Sequence, residues 1–321
     1  MDASIRDILY QELQSVLGDT SVVLHAPMRR YTTLRLGGPA EIFCEPSTPE
    51  ALASIFSLTK RYAAPITLIG NGSNLLVRDG GIPGVVVRIM SAMNHISAPY
   101  PLPSGLFTLT AEAGATLTRL SHIAAEHQLT GLEFAAGIPG TVGGAVYMNA
   151  GAYGGEMKDV VSSVTAMNTQ GDLLEWTNAD MAFGYRQSRL VHSREQAALL
   201  RVTFTLSKGN LQTIQTAMRD FLTRRREKQP LTLPSCGSTF KRPPGQFAGT
   251  LIQDCGLKGF RIGGSCVSQL HAGFLVNDQE GTAADYLALI AHVQQTVLAN
   301  TGTLLEPEVQ ILGTDSPLAA L

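Results

Sequence analysis

Apolar residues recur at helical spacing from the start of the chain. Ile5, Ile8, Leu9, Leu13 and Val16 predict a short amphipathic helix. Thr48-Pro49-Glu50 combines an N-cap hydroxyl, a first-turn proline and a first-turn acid, so a second helix is expected from there to about Arg61. Short apolar runs at Ile66–Ile69, Leu75–Val77, Val85–Ile89 and Phe107–Ala111 are strand-like. Leu117 to His127 predicts a helix with Leu120, Ile123 and Ala124 inward. Val160–Met167 and Leu173–Trp176 flank Thr169-Gln-Gly-Asp172 in the pattern of a hairpin, and Leu199–Leu206 is a further strand. Lys208-Gly209-Asn210 reads as a boundary. Beyond it, Ile214, Met218, Phe221 and Leu222 share one face of a helix from Leu211 to about Lys228, followed by Pro230 and Pro234. The remainder predicts a smaller unit with a strand at Phe274–Val276, a helix over Ala283–Leu298 and a strand at Val309–Leu312. Helices and strands mix without strict alternation, so the expected fold class is α+β, not a doubly wound parallel sheet.

Two stretches between these elements are poor in side chains. Gly137-Ile-Pro-Gly-Thr-Val-Gly-Gly144 runs through Ala145-Val-Tyr-Met-Asn149 to Ala150-Gly-Ala-Tyr-Gly-Gly155, and Gly70-Asn-Gly-Ser-Asn74 follows the run Ile66–Ile69. Such segments leave main-chain N–H groups uncovered and let the backbone approach a phosphate or a flat ring. Either one alone is also what a tight turn looks like. Together they suggest a ligand with a long phosphate spine, such as a dinucleotide. Neither is a Rossmann fingerprint, because Gly70-Asn-Gly72 leads into the strand-like Leu75-Leu-Val77 and not into a helix. No P-loop motif occurs. Asn71, Ser73, Asn74 and Thr141 add side-chain hydrogen-bonding groups.

Composition narrows the class. A chain of 321 residues, 44% hydrophobic and 16% charged, suits two or three folded domains. A net charge of −2 gives no basic footprint for nucleic acid. The one basic run, Arg224-Arg-Arg226, reads as the solvated C-terminal end of its helix. Met1-Asp-Ala-Ser-Ile-Arg6 lacks the pattern of a secretory signal, and no apolar run approaches the roughly 20 residues that cross a bilayer. Cys44, Cys236, Cys255 and Cys266 lack C-x-x-C or zinc-site spacing, so a cytoplasmic protein with reduced thiols and no metal is expected.

Three stretches carry polar groups without an obvious packing reason: Phe183-Gly-Tyr-Arg-Gln-Ser188, Cys236-Gly-Ser-Thr-Phe-Lys241 and Leu305-Glu-Pro-Glu-Val309. Taken singly, Arg186 suits a surface ion pair, Ser238 a turn hydroxyl and Glu308 an acid flanking a strand. They occur in order with Thr32-Thr-Leu-Arg-Leu-Gly-Gly-Pro-Ala40, Gly70-Asn-Gly-Ser-Asn-Leu-Leu-Val77 and the long glycine run. In that order, over nearly the whole chain, the motifs resemble the UDP-N-acetylenolpyruvoylglucosamine reductases, flavoenzymes that complete UDP-N-acetylmuramate for bacterial cell walls.

The resemblance implies an FAD-binding domain of the p-cresol methylhydroxylase and vanillyl-alcohol oxidase type over residues 1–208, with subdomains of about 1–70 and 71–208. A smaller α+β substrate-binding domain over 209–321 follows, its strand near 308–312 completing the active site. FAD is expected without a covalent bond, held by Gly70, Asn71, Gly72, Ser73, Asn74 and Leu75 from the first cradle. Gly137, Ile138, Pro139, Gly140, Thr141, Gly143, Gly144, Asn149 and Gly151 belong to the second. NADPH is the implied co-substrate, and a UDP-sugar the small-molecule substrate.

In the implied reaction, hydride passes from flavin N5 to C3 of the enolpyruvyl group and charge develops at C2. Arg186 meets that charge through the substrate carboxylate, and Glu308 either orients Arg186 or, if protonated, donates to the enolate. Ser238 corresponds to the proton donor to C2, with Lys241 close enough in sequence to steady it. Tyr153, Tyr185, Lys228, Arg242 and His271 are the implied substrate-binding residues, with Lys228 and Arg242 on the diphosphate. Arg242 stands where many relatives carry asparagine, and His271 is equally readable as a buried, satisfied ring. Ten residues without a tyrosine separate Ser188 from Leu199, so the chain is similar to the group without a lid and closes by domain approach. A flavin oxidase of the same FAD-domain superfamily and a non-catalytic dinucleotide-binding module are the alternatives.

Overall fold

The computed structural model describes residues 1–90, 92–192 and 196–318. Its first helix, α1 (Ala3–Leu17), starts where the Asp2 carboxylate accepts the Ser4 N–H at 2.9 Å. The buried stripe of α1 is Arg6, Leu9 and Leu13, whereas Ile5, Ile8 and Val16 are 37%, 48% and 47% exposed. The expected apolar face is thus rotated: the whole Arg6 side chain is buried in one of its places, its Nε paired with Asp7 at 3.0 Å. Helix α2 (Pro49–Arg61) begins as expected, with Thr48 Oγ1 accepting the Ala51 N–H at 3.2 Å, and buries Leu52, Ile55 and Phe56.

These helices share a core with a sheet of order β1 (Val22–Pro27), β2 (Pro39–Cys44), β5 (Ile82–Arg88) and β3 (Ile66–Ile69). Only β1 runs antiparallel to its neighbour. Val85, Val86 and Val87 are all buried, as a strand covered on both faces requires.

A second, antiparallel sheet has the order β12 (Leu173–Thr177), β11 (Val161–Asn168), β13 (Ala197–Lys208), β7 (Phe107–Glu112) and β6 (Tyr100–Pro101). The far end of β13 also pairs with β8 (Leu129–Thr130). The expected hairpin is β11–β12, where Asn168 Oδ1 accepts the N–H groups of Gln170 and Asp172, each at 2.9 Å. Helix α3 (Leu117–Glu126) is capped by Thr116 and buries Leu117, Leu120 and Ala124.

The long glycine run is not all loop. Val142–Tyr147 forms the short helix α4 behind its cap Thr141, and β9 (Gly151–Ala152) pairs with β10 (Gly155–Glu156). The stretch expected to lack a lid contains α5 (Arg189–His192), and its residues 193–195 lie outside the described ones.

Helix α6 (Leu211–Lys228) has the expected bounds and packs Ile214 and Met218 on Ala125 and Ala136 of the first unit. Beyond it, α7 (Ala248–Asp254), α8 (Ala283–Thr301) and the antiparallel strands β14 (Arg261–Ile262), β15 (Ser265–Val267) and β16 (Leu275–Asn277) surround a separate core that includes Ile252, Leu275, Leu289 and Val293.

The chain then returns. β17 (Gln310–Leu312) pairs in parallel with β4 (Leu75–Val77), directly after the first glycine cradle. Asp79, just past β4, accepts the N–H groups of Ala283 and Ala284 at 2.8 and 2.9 Å, capping α8 from the first unit. Among the described residues no helix is long and apolar enough to cross a membrane.

Candidate active site

The two glycine cradles meet. A Cβ on Gly70 would collide with the Oγ1 of Thr141, itself buried and engaged in capping α4, so only glycine permits this approach. Asn71 Nδ2 donates to Pro139 O at 2.6 Å, tying one run to the other. The main-chain N–H groups of Asn71–Asn74, Gly140 and Thr141 donate to no protein acceptor among the described residues. They are therefore available to an anion.

Gly70–Leu75, Ile138, Gly140, Thr141, Gly143 and Gly144 line one cavity, whose deeper wall includes the apolar Ile69, Ile89 and Leu199. A second cavity of ≈ 670 Å³ continues from it past Asn71, Ser73, Asn74, Gly137, Ile138, Pro139 and Gly151. Arg88 and Gln229 line this second cavity, and their buried Nε and Oε1 atoms have no hydrogen-bond partner. Uncovered N–H groups for a diphosphate and apolar walls for ring systems together fit a dinucleotide such as FAD.

A third cavity, ≈ 750 Å³, opens on the other side. Arg186, Ser238 and Glu308 line both the second and the third, so they stand at the seam between the two. Their convergence comes from backbone pairing of distant segments. The Glu308 N–H donates to Thr239 O and the Lys241 N–H to Glu306 O, each at 2.8 Å, which lays Cys236–Lys241 along Leu305–Val309. Asn74 Nδ2 donates to Glu308 O at 3.1 Å, and the Gln310 N–H to Asn74 O at 2.9 Å, linking this ladder to the first cradle.

Arg186 sits in a tight turn with φ +54°, a left-handed conformation that is costly for a residue with a side chain. Its Nε donates to Glu308 Oε1 at 2.8 Å and its Nη2 to Gly151 O at 3.1 Å. Burial raises the Glu308 carboxyl above its ordinary pKa, against the opposing pull of Arg186 and Lys241. Ser238 is exposed into the cavities. Lys241 does not steady Ser238 as expected, because its Nζ turns to Glu306 Oε2 at 3.3 Å and it lines neither cavity.

Tyr153, Tyr185, Arg242 and His271 all line the third cavity. Tyr185 accepts the Arg242 N–H at 3.1 Å, and the Arg242 guanidinium lies 4.0 Å above the Phe247 ring centroid. Tyr153 stacks on Phe221 with centroids 4.6 Å apart. His271 Nδ1 accepts the Gly273 N–H at 3.1 Å, which leaves Nε2 to carry the proton. Burial, then the charges of Lys258 and Lys228, push the His271 pKa down and keep the ring neutral.

Three residues lie elsewhere than the sequence led us to expect. Lys228 is exposed at the end of α6 and lines none of the three cavities, although its charge reaches His271 in the third. Asn149 lines none of the three cavities, and its carboxamide is held by Glu156, Gly184 and the Lys158 N–H. Arg225, read as part of a solvated helix end, is half-buried and lines the second cavity, with its stem over Gly137. Its signal was present: Arg225 continues the apolar face of Met218, Phe221 and Leu222 one turn further.

Residues 40–177 match a family model described as an FAD binding domain. Residues 229–312 match one described as UDP-N-acetylenolpyruvoylglucosamine reductase, C-terminal domain. The chain is 45% identical over 307 residues to the UDP-N-acetylenolpyruvoylglucosamine reductase of Staphylococcus haemolyticus, covering 96% of this chain and 97% of that one. The chain belongs to the UDP-N-acetylenolpyruvoylglucosamine reductase family. A family relative from Exiguobacterium sibiricum is 47% identical over 296 residues, covering 92% of this chain and 94% of its own. Among solved structures, the family member from Thermus caldophilus superposes with a TM-score of 0.77 at 34% identity, covering 91% of this chain and 98% of that chain. The α+β architecture, an FAD-binding domain followed by the family's C-terminal domain, is the one the sequence led us to expect.

Proposed function

We infer that this family member performs its reaction at the seam between the second and third cavities, with Arg186, Ser238 and Glu308 as the reacting shell. The enzyme is an FAD-dependent oxidoreductase that reduces UDP-N-acetylglucosamine enolpyruvate to UDP-N-acetylmuramate in peptidoglycan precursor synthesis, with NADPH as co-substrate. When bound, FAD carries reducing equivalents from NADPH to C3 of the enolpyruvyl group. Gly70–Leu75, Gly137–Thr141, Gly143, Gly144 and Gly151 would hold it through main-chain N–H groups and close backbone contact. We place the enzyme in the cytoplasm.

Attack at C3 leaves carbanion-like charge at C2, shared with the adjacent carboxylate. The Arg186 guanidinium, fixed by Glu308 and Gly151, meets that charge without having to reorganise. Glu308 Oε1 accepts from Arg186 at 2.8 Å, which supports an orienting role, while a protonated Oε2 would still leave the carboxyl a donor. Ser238, next to Glu308 on the paired segments, gives its hydroxyl proton to C2. In the third cavity Arg242 takes the diphosphate, with the Lys228 charge close enough to act on His271 beside it. The neutral His271 offers Nε2–H as a donor, and Tyr153 and Tyr185 supply ring faces. The two units, residues 1–208 and 209–321, approach each other over the substrate about the β4–β17 pairing.

The convergence of Arg186, Ser238 and Glu308 at the seam carries this reading. Ser238→Ala tests it. Reduction by NADPH should stay at the parental rate, while oxidation of the reduced enzyme by the UDP-sugar slows by about 10²–10⁴. Parental rates in both half-reactions would remove Ser238 as the acid. Rapid oxidation by dioxygen without response to the UDP-sugar would favour an oxidase.

A further inference from the structure

Asn149 lies in the glycine-rich segment yet faces away from the cavities. It is fully buried, with φ +45°. Its Nδ2 donates to Glu156 Oε2 at 2.6 Å and to Gly184 O at 2.9 Å, and its Oδ1 accepts the Lys158 N–H at 2.9 Å. Two acceptors on one side and a donor on the other fix which way the amide points.

Gly184 begins the turn that carries Arg186. Its N–H and O exchange hydrogen bonds with Gln187, both at 3.1 Å, and Arg186 sits inside that turn at φ +54°. A left-handed arginine persists only where its surroundings over-determine it. Glu308 holds the guanidinium and the Arg242 N–H holds Tyr185, and one short segment supplies three further contacts to the turn. Asn149 holds Gly184, the Ser188 hydroxyl donates to Tyr147 O, and Arg186 Nη2 donates to Gly151 O. The anchor therefore grips the turn before, at and after the arginine, and among the described residues the Asn149 amide is the one side-chain group that the glycine segment contributes to it. Glu156, itself paired with Lys158 Nζ at 2.6 Å, fixes the amide in turn.

We propose that Asn149 is a positioning residue for Arg186, holding the Gly184–Gln187 turn so that the guanidinium points into the seam, and is not a contact to the cofactor. The proposal rests on the reading of Arg186 as the group that meets the developing enolate. A misplacement of about 1 Å at such a group costs up to about 10²-fold in rate.

The test uses the FAD-loaded enzyme and three readouts: FAD affinity, the rate of reduction by NADPH, and the rate of oxidation by UDP-N-acetylglucosamine enolpyruvate. In Asn149→Ala the first two should stay within about twofold of the parent and the third should fall about 10- to 100-fold. Introduced beside Arg186→Ala, the same substitution should add no further loss. Glu156→Gln keeps the shape of the Asn149 partner but weakens its charge-assisted bond, so it should show the same split, reduced to several-fold. It carries the comparison if Asn149→Ala does not fold. A parental oxidation rate, a loss of FAD affinity matched in both half-reactions, or an equal additional loss beside Arg186→Ala would overturn the proposal. Arg186→Ala alone, oxidised at the parental rate, would instead overturn the functional reading beneath it.

Discussion

The proposed cofactor cradle and the proposed catalytic seam are built on opposite principles. The cradle is main chain: uncovered N–H groups from two glycine-rich runs, held together by Asn71 and by the close approach of Gly70 to Thr141. The seam is side chain: one arginine, one serine and one glutamate delivered by segments about 50 to 120 residues apart and aligned by backbone pairing. A backbone site tolerates change wherever no Cβ intrudes, but is uniformly sensitive to crowding. A side-chain site fails residue by residue, and each failure touches one step. The two regions should therefore separate in kinetics, with cradle damage lowering cofactor affinity and seam damage slowing only the second half-reaction.

The sharpest way to break this contrast is Arg186→Lys. An ammonium lacks the planar fork that meets Glu308 and a substrate carboxylate together. Stopped-flow oxidation by the UDP-sugar should slow by about 10²–10³, the range for losing one preorganised donor, with reduction by NADPH unchanged. Equal slowing of both half-reactions would show that the seam is not separable from the cradle.

Gly70→Ala probes the other region. Its Cβ would displace the Thr141 hydroxyl from the α4 cap, a loss of about 1 kcal/mol. FAD affinity measured by fluorescence should fall by about tenfold or less, while the oxidation rate of the fraction that remains loaded stays parental. A changed oxidation rate with unchanged affinity would place Gly70 in the seam's chemistry.

The smallest effect is in pH. Burial raises the Glu308 pKa, and the ionised form orients Arg186. Oxidation by the UDP-sugar should lose rate as pH falls through a value above the ordinary carboxylate range, and Glu308→Gln should lack that acid limb. The linkage to stability has the opposite sense. The folded state keeps a proton that the unfolded chain has already released, so this contribution is full below the unfolded pKa and fades as pH rises through the folded one. An acid limb surviving in Glu308→Gln would assign it to another group.

Much of this architecture was readable from residue order because its causes are local. The Thr48-Pro49-Glu50 start of α2, the bounds of α6 and the Asn168 turn each follow from a few neighbours and their hydrogen bonds. Helix α4 was hidden because two of its six residues are glycines, which lower helix propensity, and its stability comes from the Thr141 cap and from burying Val142 and Val146. Arg6 entered a buried stripe that a count of apolar residues gave to Ile5 and Ile8.

The candidate site divides in the same way. The two cradles could be found from glycine spacing, since the property that matters is the absence of side chains. Which polar groups enter the cavities could not. Lys241 and Arg242 are adjacent in the chain, yet one turns to Glu306 and the other lies over Phe247 in the third cavity. Arg225 faces the second cavity while Arg224 and Arg226 face solvent. Sequence alone determined many of the helices and strands, the uncovered backbone and, through motif order, the family. Tertiary structure decided that β17 returns to β4, that Glu308 is buried against Arg186, and that Asn149 braces a turn. The reason is physical: a capping hydroxyl or a missing side chain acts within a few residues, whereas burial, pairing and the aim of a guanidinium depend on chain segments that meet only after folding.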